Sequence, residues 1–140
     1  MRLDAKRALV TGSSRGIGRA IAVSLAKAGA EVLINYCSNE TAAFETARLI
    51  QDLGALKPKV LQFDVSNSRQ VQEKLEGVEV DILVNNAGIT RDALLLRLKD
   101  ADVEAVLATN VAGALYCARV CARHMVRQRW GRIINISSIP

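Results

Sequence analysis

Short apolar runs alternate with helix-like patterns along the 140 residues of this chain. The run at 80–84 is almost unbroken in its apolar character, which is typical of a strand buried on both faces of a parallel sheet. The run at 132–136 is also apolar on both faces, which suits a central strand better than an edge strand. Five strands are predicted: Ala8–Val10, Glu31–Tyr36, Val60–Phe63, Val80–Val84 and Arg132–Ile136.

Apolar residues at helical spacing separate these runs. Asn39 or Ser38 can cap the second helix, which carries Ala43, Ala47 and Ile50 on one face. Four helical segments are predicted: 19–28, the segment from the cap to about 54, 68–76, and the segment from about 100 to about 127. A short apolar segment at 94–98 precedes the last of them. The long last helix has a continuous apolar face, of the kind that normally packs on a core, made of Val103, Val106, Leu107, Val111, Ala114 and Ala118.

The alternation of strands and helices, joined by right-handed crossovers, predicts an α/β fold with a doubly wound parallel sheet. The predicted order of its five strands is 3-2-1-4-5, in a single Rossmann-like domain that spans residues 1–140. Ligands of such sheets bind beyond the carboxyl ends of the strands, where the strand order reverses. Residues 11–18, Asp64 and the segment from Asn85 onward all fall at that edge.

The turn after the first strand, Thr11–Gly18, is rich in glycine and leads directly into a helix. A strand, a glycine turn and a helix N-terminus together place backbone N–H groups against a phosphate. Gly12 lets the chain leave the strand in a conformation that a Cβ would forbid, while Gly16 and Gly18 leave the helix start bare. By itself this motif is a weak signal, because a tight turn that binds nothing has the same composition.

The complete spacing Thr-Gly-x-x-x-Gly-x-Gly resembles the cofactor motif of the short-chain dehydrogenase/reductase family. Asn85–Gly88, at the end of the fourth strand, resembles the second signature of that family, although alone it is also typical of a polar turn. Residues 89–97 and 131–138 are similar to the β-ketoacyl–acyl carrier protein reductases of fatty-acid synthesis. The resemblance implies an oxidoreductase that reduces a 3-oxoacyl thioester on acyl carrier protein to the 3-hydroxyacyl form with NADPH.

The end of the second strand distinguishes the two nicotinamide cofactors. NAD-dependent proteins of this architecture place an acid there, whereas residues 35–38 contain none, and Arg15 can reach a 2′-phosphate with a fork of donors. Ser38 can add a hydroxyl, so we expect NADPH. The alternative for Arg15 is a solvated cation, which would oppose the helix dipole. The motif and the family pattern imply cofactor contacts from Gly12, Ser13, Ser14, Arg15, Gly16, Ile17, Gly18, Ser38, Asp64, Val65, Asn86, Ala87 and Gly88.

The resemblance also implies two catalytic residues. Asn110 lies in the long helix where the family's Asn holds a water of the proton relay, and its alternative is an exposed polar position. Ser138 matches the Ser that hydrogen-bonds the substrate carbonyl, with Ser137 as the competing candidate. The family's Tyr-x-x-x-Lys motif and its last strands and helices would lie beyond Pro140, so we expect a truncated reductase that is inactive alone. Two alternatives remain open: a nucleotide-binding module without turnover, or a reductase for another carbonyl or alcohol substrate.

Composition limits the other possibilities. The chain has a net charge of +5, three cysteines and one histidine, without a pattern of metal-ligand pairs, so no metal site is expected. No apolar run approaches the length of a membrane span, and the N-terminus lacks the apolar core of a secretory signal, which predicts a cytoplasmic protein. Cys117 and Cys121 are four residues apart on a helix, and we expect both to be reduced packing residues.

Basic residues cluster near the end of the long helix. Such a cluster is usually a solvated face, and without interleaved aromatic residues it does not predict nucleic-acid binding. In the family that the chain resembles, a basic patch of this kind receives the acidic acyl carrier protein, which is therefore the expected partner. Since the fifth strand is apolar on both faces, we also expect a homo-oligomer. The basic residues are Arg119, Arg123, Arg127, Arg129 and Arg132.

Overall fold

The computed structural model of this protein describes residues 2–137. Its centre is a five-stranded sheet in which each neighbouring pair of strands is parallel. The strand order is β3-β2-β1-β4-β5, which confirms the predicted order and the doubly wound fold. The strands are β1 (Arg7–Val10), β2 (Glu31–Tyr36), β3 (Lys59–Gln62), β4 (Ile82–Asn85) and β5 (Arg132–Asn135).

Helices connect the strands, and four of the five α-helices in the described part of the chain pack on the sheet. Asn39 is the residue that caps the second helix, because its side chain accepts a hydrogen bond from the backbone N–H of Ala42 at 3.0 Å. A 3₁₀ turn, Leu95–Arg97, precedes the fourth helix, and a π-helical turn, Ala108–Ala112, joins the fourth helix to the fifth. The α-helices are α1 (Gly16–Lys27), α2 (Glu40–Asp52), α3 (Ser68–Leu75), α4 (Asp100–Leu107) and α5 (Gly113–Gln128).

Two hydrophobic clusters lie on opposite faces of the sheet, because successive strand residues point to opposite sides. In β1, for example, Val10 belongs to one cluster and Leu9 to the other, and both are fully buried. The first cluster adds the apolar faces of α1 and α2, which include Ala22, Ala26, Ala43, Ala47 and Ile50. The second adds those of α3 and α5, which include Val71, Leu75, Cys117, Cys121 and Met125.

The long helical run buries a different face from the predicted one. Val103, Leu107 and Val111 are 39%, 53% and 52% exposed. The buried stripe instead begins at Gly113, where an added Cβ would come within 2.8 Å of Val65 Cγ2, and the helix lies too close there for a large side chain. Small and flexible residues therefore face the sheet: Gly113, Cys117, Cys121 and Met125.

Cys117 and Cys121 are free thiols in that buried stripe, as expected. Burial raises the pKa of each thiol to about 12, so both remain protonated at neutral pH.

The run Asp100–Gln128 is, within residues 2–137, the one helix long and apolar enough to cross a membrane, with 29 residues and an 18-residue window whose mean hydropathy is 1.4. The expectation that no apolar segment approaches that length is therefore wrong for this run. The similarity of this run to a membrane-spanning helix rests on its length and composition only, and core helices of folded domains share that length and composition. Its α5 half packs on the sheet through Cys117 and Cys121.

A buried carboxylate, Asp81, joins three elements at the amino-terminal end of the sheet. It accepts hydrogen bonds from the backbone N–H of Arg7 at 2.8 Å and from Gln128 Nε2 at 2.7 Å. His124 Nε2 lies 3.0 Å from the same carboxylate, which can only accept, so this nitrogen carries the proton. Burial alone raises the pKa of Asp81, but these hydrogen bonds outweigh it and hold the pKa below its usual value.

Candidate functional site

The carboxyl ends of the strands open into two adjoining cavities of about 600 Å³ and 770 Å³. We call the first the turn cavity, since residues of the turn 11–18 and of the end of β2 line it, and the second the β5 cavity. Each has the volume of a small-molecule or cofactor site. Both lie at the edge where the strand order reverses. They form one continuous cleft, because both are lined by Ile17, Val65, Asn86, Ala87, Gly88 and Ile89.

The glycine turn has the backbone that its sequence requires. Gly12 and Gly16 adopt φ angles of +62° and +58°, in the left-handed region that favours glycine. A Cβ on Gly18 would overlap the carbonyl oxygen of Gly12 and the side-chain nitrogen of Asn86, so α1 approaches the turn closely only because Gly18 is bare. No side chain caps the start of α1, and its first turn contains no acidic residue. The N–H groups at this helix start are therefore suited to an anion in the turn cavity.

Thr11 ties the glycine turn to the second motif. Its hydroxyl oxygen accepts hydrogen bonds from the backbone N–H groups of Asn86 and Ala87, each at 3.0 Å. In return, Asn86 Nδ2 donates to the carbonyls of Thr11 at 3.2 Å and Gly12 at 3.1 Å. The two motifs, 75 residues apart in sequence, are thus held side by side along the cleft.

The part of the turn cavity between the glycine turn and the end of β2 is lined by a cation and by no acidic side chain. Arg15 is exposed and lines the turn cavity together with Cys37 and Ser38, and none of the ion pairs within residues 2–137 involves it. The acid in the cavity wall is Asp64, whose carboxylate accepts hydrogen bonds from the N–H and the hydroxyl of Ser66 at 2.9 Å and 2.7 Å. Burial and, secondly, the charge of Asp64 raise the pKa of the Cys37 thiol. The local charge pattern suits a phosphate beside Arg15.

Asn110 lies in the π-helical turn and lines the β5 cavity. Its Oδ1 accepts a hydrogen bond from the backbone N–H of Ile89 at 2.8 Å, and its Nδ2 donates to the carbonyl of Ile89 at 2.9 Å. These two bonds fasten the helix to the loop after β4, so Asn110 is not merely an exposed polar residue. Its amide still has a second N–H and further lone pairs for a water.

Ser13 is the predicted cofactor-binding residue that the structure does not bring to the cavity wall. Its side chain is fully buried, with Oγ donating to the carbonyl of Val10 at 2.7 Å and accepting from the N–H of Asn35 at 3.0 Å. All the other predicted cofactor-binding residues line the turn cavity. Of the two serine candidates, Ser137 lines the β5 cavity, and Ser138 lies outside the described residues.

Asn35 has a role that the sequence pattern did not predict. It is 2% exposed, and its Oδ1 accepts a hydrogen bond from the N–H of Gly12 at 3.0 Å. Its Nδ2 lies within hydrogen-bonding distance of the carbonyls of Phe63 at 3.1 Å and Leu61 at 3.3 Å. The side chain therefore connects the glycine turn with the end of β3. The available signal was a single amide inside the otherwise apolar run of β2.

A model of the short chain dehydrogenase family matches residues 6–140 of this chain. The chain belongs to the short-chain dehydrogenase family. It is 43% identical over 143 residues to the 3-oxoacyl-[acyl-carrier-protein] reductase of Synechocystis sp.. The alignment covers 98% of this chain and 57% of that protein. A 3-oxoacyl-[acyl-carrier-protein] reductase from Aquifex aeolicus is 42% identical, and that alignment covers 99% of this chain and 58% of the relative. This short-chain dehydrogenase chain thus spans little more than half the length of these relatives.

Solved structures of related proteins agree with the fold. A gluconate 5-dehydrogenase from Burkholderia cenocepacia, in complex with NADP and tartrate, is 43% identical and superposes with a TM-score of 0.88, covering 98% of this chain and 55% of that one. A metagenomic short-chain oxidoreductase in complex with NADP is 33% identical and superposes with a TM-score of 0.92, and the match covers 99% of this chain and 64% of that one.

The cleft offers polar groups that can bind a ligand. No group of three or more metal-ligating side chains occurs in the part of the chain that the structure describes. The turn cavity combines backbone N–H groups, a cation and a hydroxyl, while the β5 cavity combines amide and hydroxyl groups, among them the amide of Asn110, with apolar side chains. This arrangement can hold an extended phosphorylated molecule across the edge of the sheet.

Proposed function

We propose that residues 1–140 form the NADP(H)-binding domain of an NADPH-dependent oxidoreductase. The observation that carries the proposal is the pairing of a glycine turn at an uncapped helix start with Arg15, beside an end of β2 that has no acid. The cofactor fits these residues, because its diphosphate matches the bare helix start and its 2′-phosphate matches the cation. The two related structures in complex with NADP support this choice of cofactor.

The residues around the cleft have distinct tasks in this proposal. The turn from Gly12 to Gly18 would hold the diphosphate, Arg15 and Ser38 the 2′-phosphate, and Asp64 and Val65 the adenine side. Asn86–Gly88 would line the ribose. NADPH, when bound, supplies the hydride for carbonyl reduction.

Asn110 contributes to the proton path of the proposed reaction. Because it is fastened to Ile89 through two hydrogen bonds, its amide is held at a constant position in the wall of the β5 cavity. We assign its remaining hydrogen-bonding capacity to a water of the proton relay. Ser138 would hydrogen-bond the substrate carbonyl.

The proposed substrate is a 3-oxoacyl thioester carried on acyl carrier protein. The reductases from Synechocystis sp. and Aquifex aeolicus support this class by their names. A polyol or sugar acid is the second candidate, since the gluconate 5-dehydrogenase is 43% identical as well. In the wall of the β5 cavity, Val111, Leu115 and Ile133 offer apolar contacts that suit the acyl chain of a thioester.

Partners and assembly follow from the exposed surface. The five arginines between 119 and 132 are all exposed and form a basic patch that suits an acidic acyl carrier protein. Ile133, Ile134 and Ile136 are 42%, 46% and 40% exposed at the β5 edge of the sheet that residues 2–137 form, which supports homo-oligomerisation. We place the protein in the cytoplasm, where the thioester substrate would be made.

The choice of NADPH is tested by substituting Arg15. Arg15→Ala removes a charge-assisted contact worth about 1.5–3 kcal/mol, so NADPH affinity should fall roughly tenfold to more than a hundredfold. NADH, which lacks the 2′-phosphate, should bind nearly as before. Titration of the purified chain, followed by the fluorescence of the reduced nicotinamide, measures both affinities.

Arg69→Ala is the matched control, because Arg69 is 87% exposed on α3, away from the cleft, and pairs with Glu73. This variant should bind both cofactors like the wild type. An equal loss of NADPH and NADH affinity in Arg15→Ala would instead show that Arg15 supports the turn without recognising the phosphate.

A further inference from the structure

The glycine turn is held from behind by two side chains that do not line the cleft. Thr46 of α2 is fully buried, and its hydroxyl oxygen lies 3.0 Å from the carbonyl oxygen of Ser13 and 3.1 Å from that of Ser14. Arg19 of α1 donates from Nε to Thr46 Oγ1 at 2.9 Å and from Nη2 to the carbonyl of Ser14 at 2.6 Å. The turn is thus fastened to both helices on the side facing away from the turn cavity.

The number of available protons decides which group serves which carbonyl. The Thr46 hydroxyl has a single proton, yet three carbonyls are within its reach, the third being that of Ala42 at 3.3 Å. Arg19 Nη2 already donates to Ser14 and to Ala42, the latter at 3.1 Å. The Thr46 proton is therefore left for the carbonyl of Ser13. The carbonyl of Ser13 therefore depends on Thr46 for its hydrogen bond, and that of Ser14 on Arg19.

The same bonds set the spacing between two parts of the proposed cofactor site. The carbonyl of Ser14 belongs to the glycine turn, which would hold the diphosphate. Helix α2 begins directly after the loop that contains Ser38, on the 2′-phosphate side. Because Thr46 belongs to α2 and bonds to the turn, it connects the turn to the loop that precedes this helix.

Arg19 acts on the glycine turn through its hydrogen bonds and not through its charge. Its Nη2 lies 3.6 Å from a carboxylate oxygen of Glu45, so the guanidinium is partly neutralised by that acid. Its effect on the turn is therefore mainly geometric. A group held at the wrong distance loses much of its binding contribution, because small displacements weaken short hydrogen bonds steeply.

We propose that Thr46 and Arg19 are positioning residues for cofactor binding, which hold the phosphate-binding turn through the carbonyls of Ser13 and Ser14. They touch the turn and not the cofactor. This inference rests on the proposed function, since it takes NADP(H) as the ligand of the turn cavity. It adds α2, a helix with no residue in the predicted cofactor set, to the parts of the chain that determine cofactor affinity.

The test compares Thr46→Val, which keeps the shape but removes the hydroxyl, with Thr46→Ser, which keeps the hydroxyl. NADP+ affinity of the purified chain is measured by titration calorimetry, and the unfolding of each variant by urea. We expect Thr46→Val to bind NADP+ about tenfold more weakly, the effect of one weakened hydrogen bond to a charged group. Thr46→Ser should stay within about twofold of the wild type by the same reasoning.

A stability control separates positioning from general loosening of the fold. Val71→Ala creates a cavity in the cluster on the opposite face of the sheet and should lower stability without changing NADP+ affinity. Equal losses of affinity in Thr46→Val and Val71→Ala would overturn the proposal. So would an unchanged affinity in a folded Thr46→Val.

Arg19→Lys covers the case in which Thr46→Val does not fold. The side chain of Arg19 is 26% exposed, and lysine keeps the charge while it loses the fork that reaches Thr46 and Ser14 together. We expect it to weaken NADP+ binding severalfold, and a wild-type affinity would count against the proposal. If the wild-type chain itself does not bind NADP+, the proposed function fails and this inference falls with it. Binding by the wild type with unchanged variants refutes the positioning role alone.

Discussion

Gly18→Ala tests whether close packing between α1 and the two motifs is essential to this fold. Helix propensity alone predicts a gain, because alanine is favoured over glycine in a helix interior by about 1 kcal/mol. The structure predicts the opposite. The new Cβ would overlap the carbonyl oxygen of Gly12, which is backbone, and the side-chain nitrogen of Asn86, so α1 must move away from the turn.

The cost can be worked out from the contacts that this movement breaks. Asn86 Nδ2 would lose its hydrogen bonds to the carbonyls of Thr11 and Gly12, at about 1 kcal/mol each. Strain from the inserted methyl group adds about 1–3 kcal/mol. After the gain in propensity is subtracted, the free energy of unfolding should fall by about 2–4 kcal/mol.

Urea denaturation followed by far-ultraviolet circular dichroism measures this change. The midpoint of unfolding should fall while the slope stays the same, since the surface exposed on unfolding is unaltered. Ala20→Gly, at an exposed position of the same helix, serves as the control for propensity and should cost only about 1 kcal/mol. A Gly18→Ala variant as stable as the wild type, or more stable, would refute the packing argument.

Two further predictions concern buried titratable groups. In the native chain at pH 7.5, a thiol-labelling reagent should modify the exposed Cys37 but should reach the buried Cys117 and Cys121 only after denaturation, and native labelling of all three would contradict their burial. The lowered pKa of Asp81 stabilises the fold above its unfolded pKa of about 3.9, and this stability is lost as pH falls through the folded value. Urea midpoints between about pH 6 and pH 2 should therefore fall less steeply in Asp81→Asn, and identical slopes would exclude this role.

The elements and their order were determined by local sequence signals. β2 has its predicted bounds because a mostly apolar run is enclosed by Gly29, at a φ of +102°, and by the cap Asn39. The strand order followed from alternation and crossover handedness, which leave few arrangements for five parallel strands. Most of the candidate site was also predictable from local sequence. A glycine turn after a strand adopts a particular backbone conformation, and that conformation determines which residues face the cleft.

Tertiary structure alone decided which face of a segment is buried and which polar groups meet. The long helix has enough apolar residues for two faces, and the close approach of Gly113 to Val65 selected the stripe of small side chains. Ser13 and Thr46 are ordinary polar residues in the sequence, but packing of α2 behind the turn makes them its internal support. The partner of a polar side chain depends on distances between elements far apart along the chain, such as Asp81 and His124, and no local pattern contains those distances.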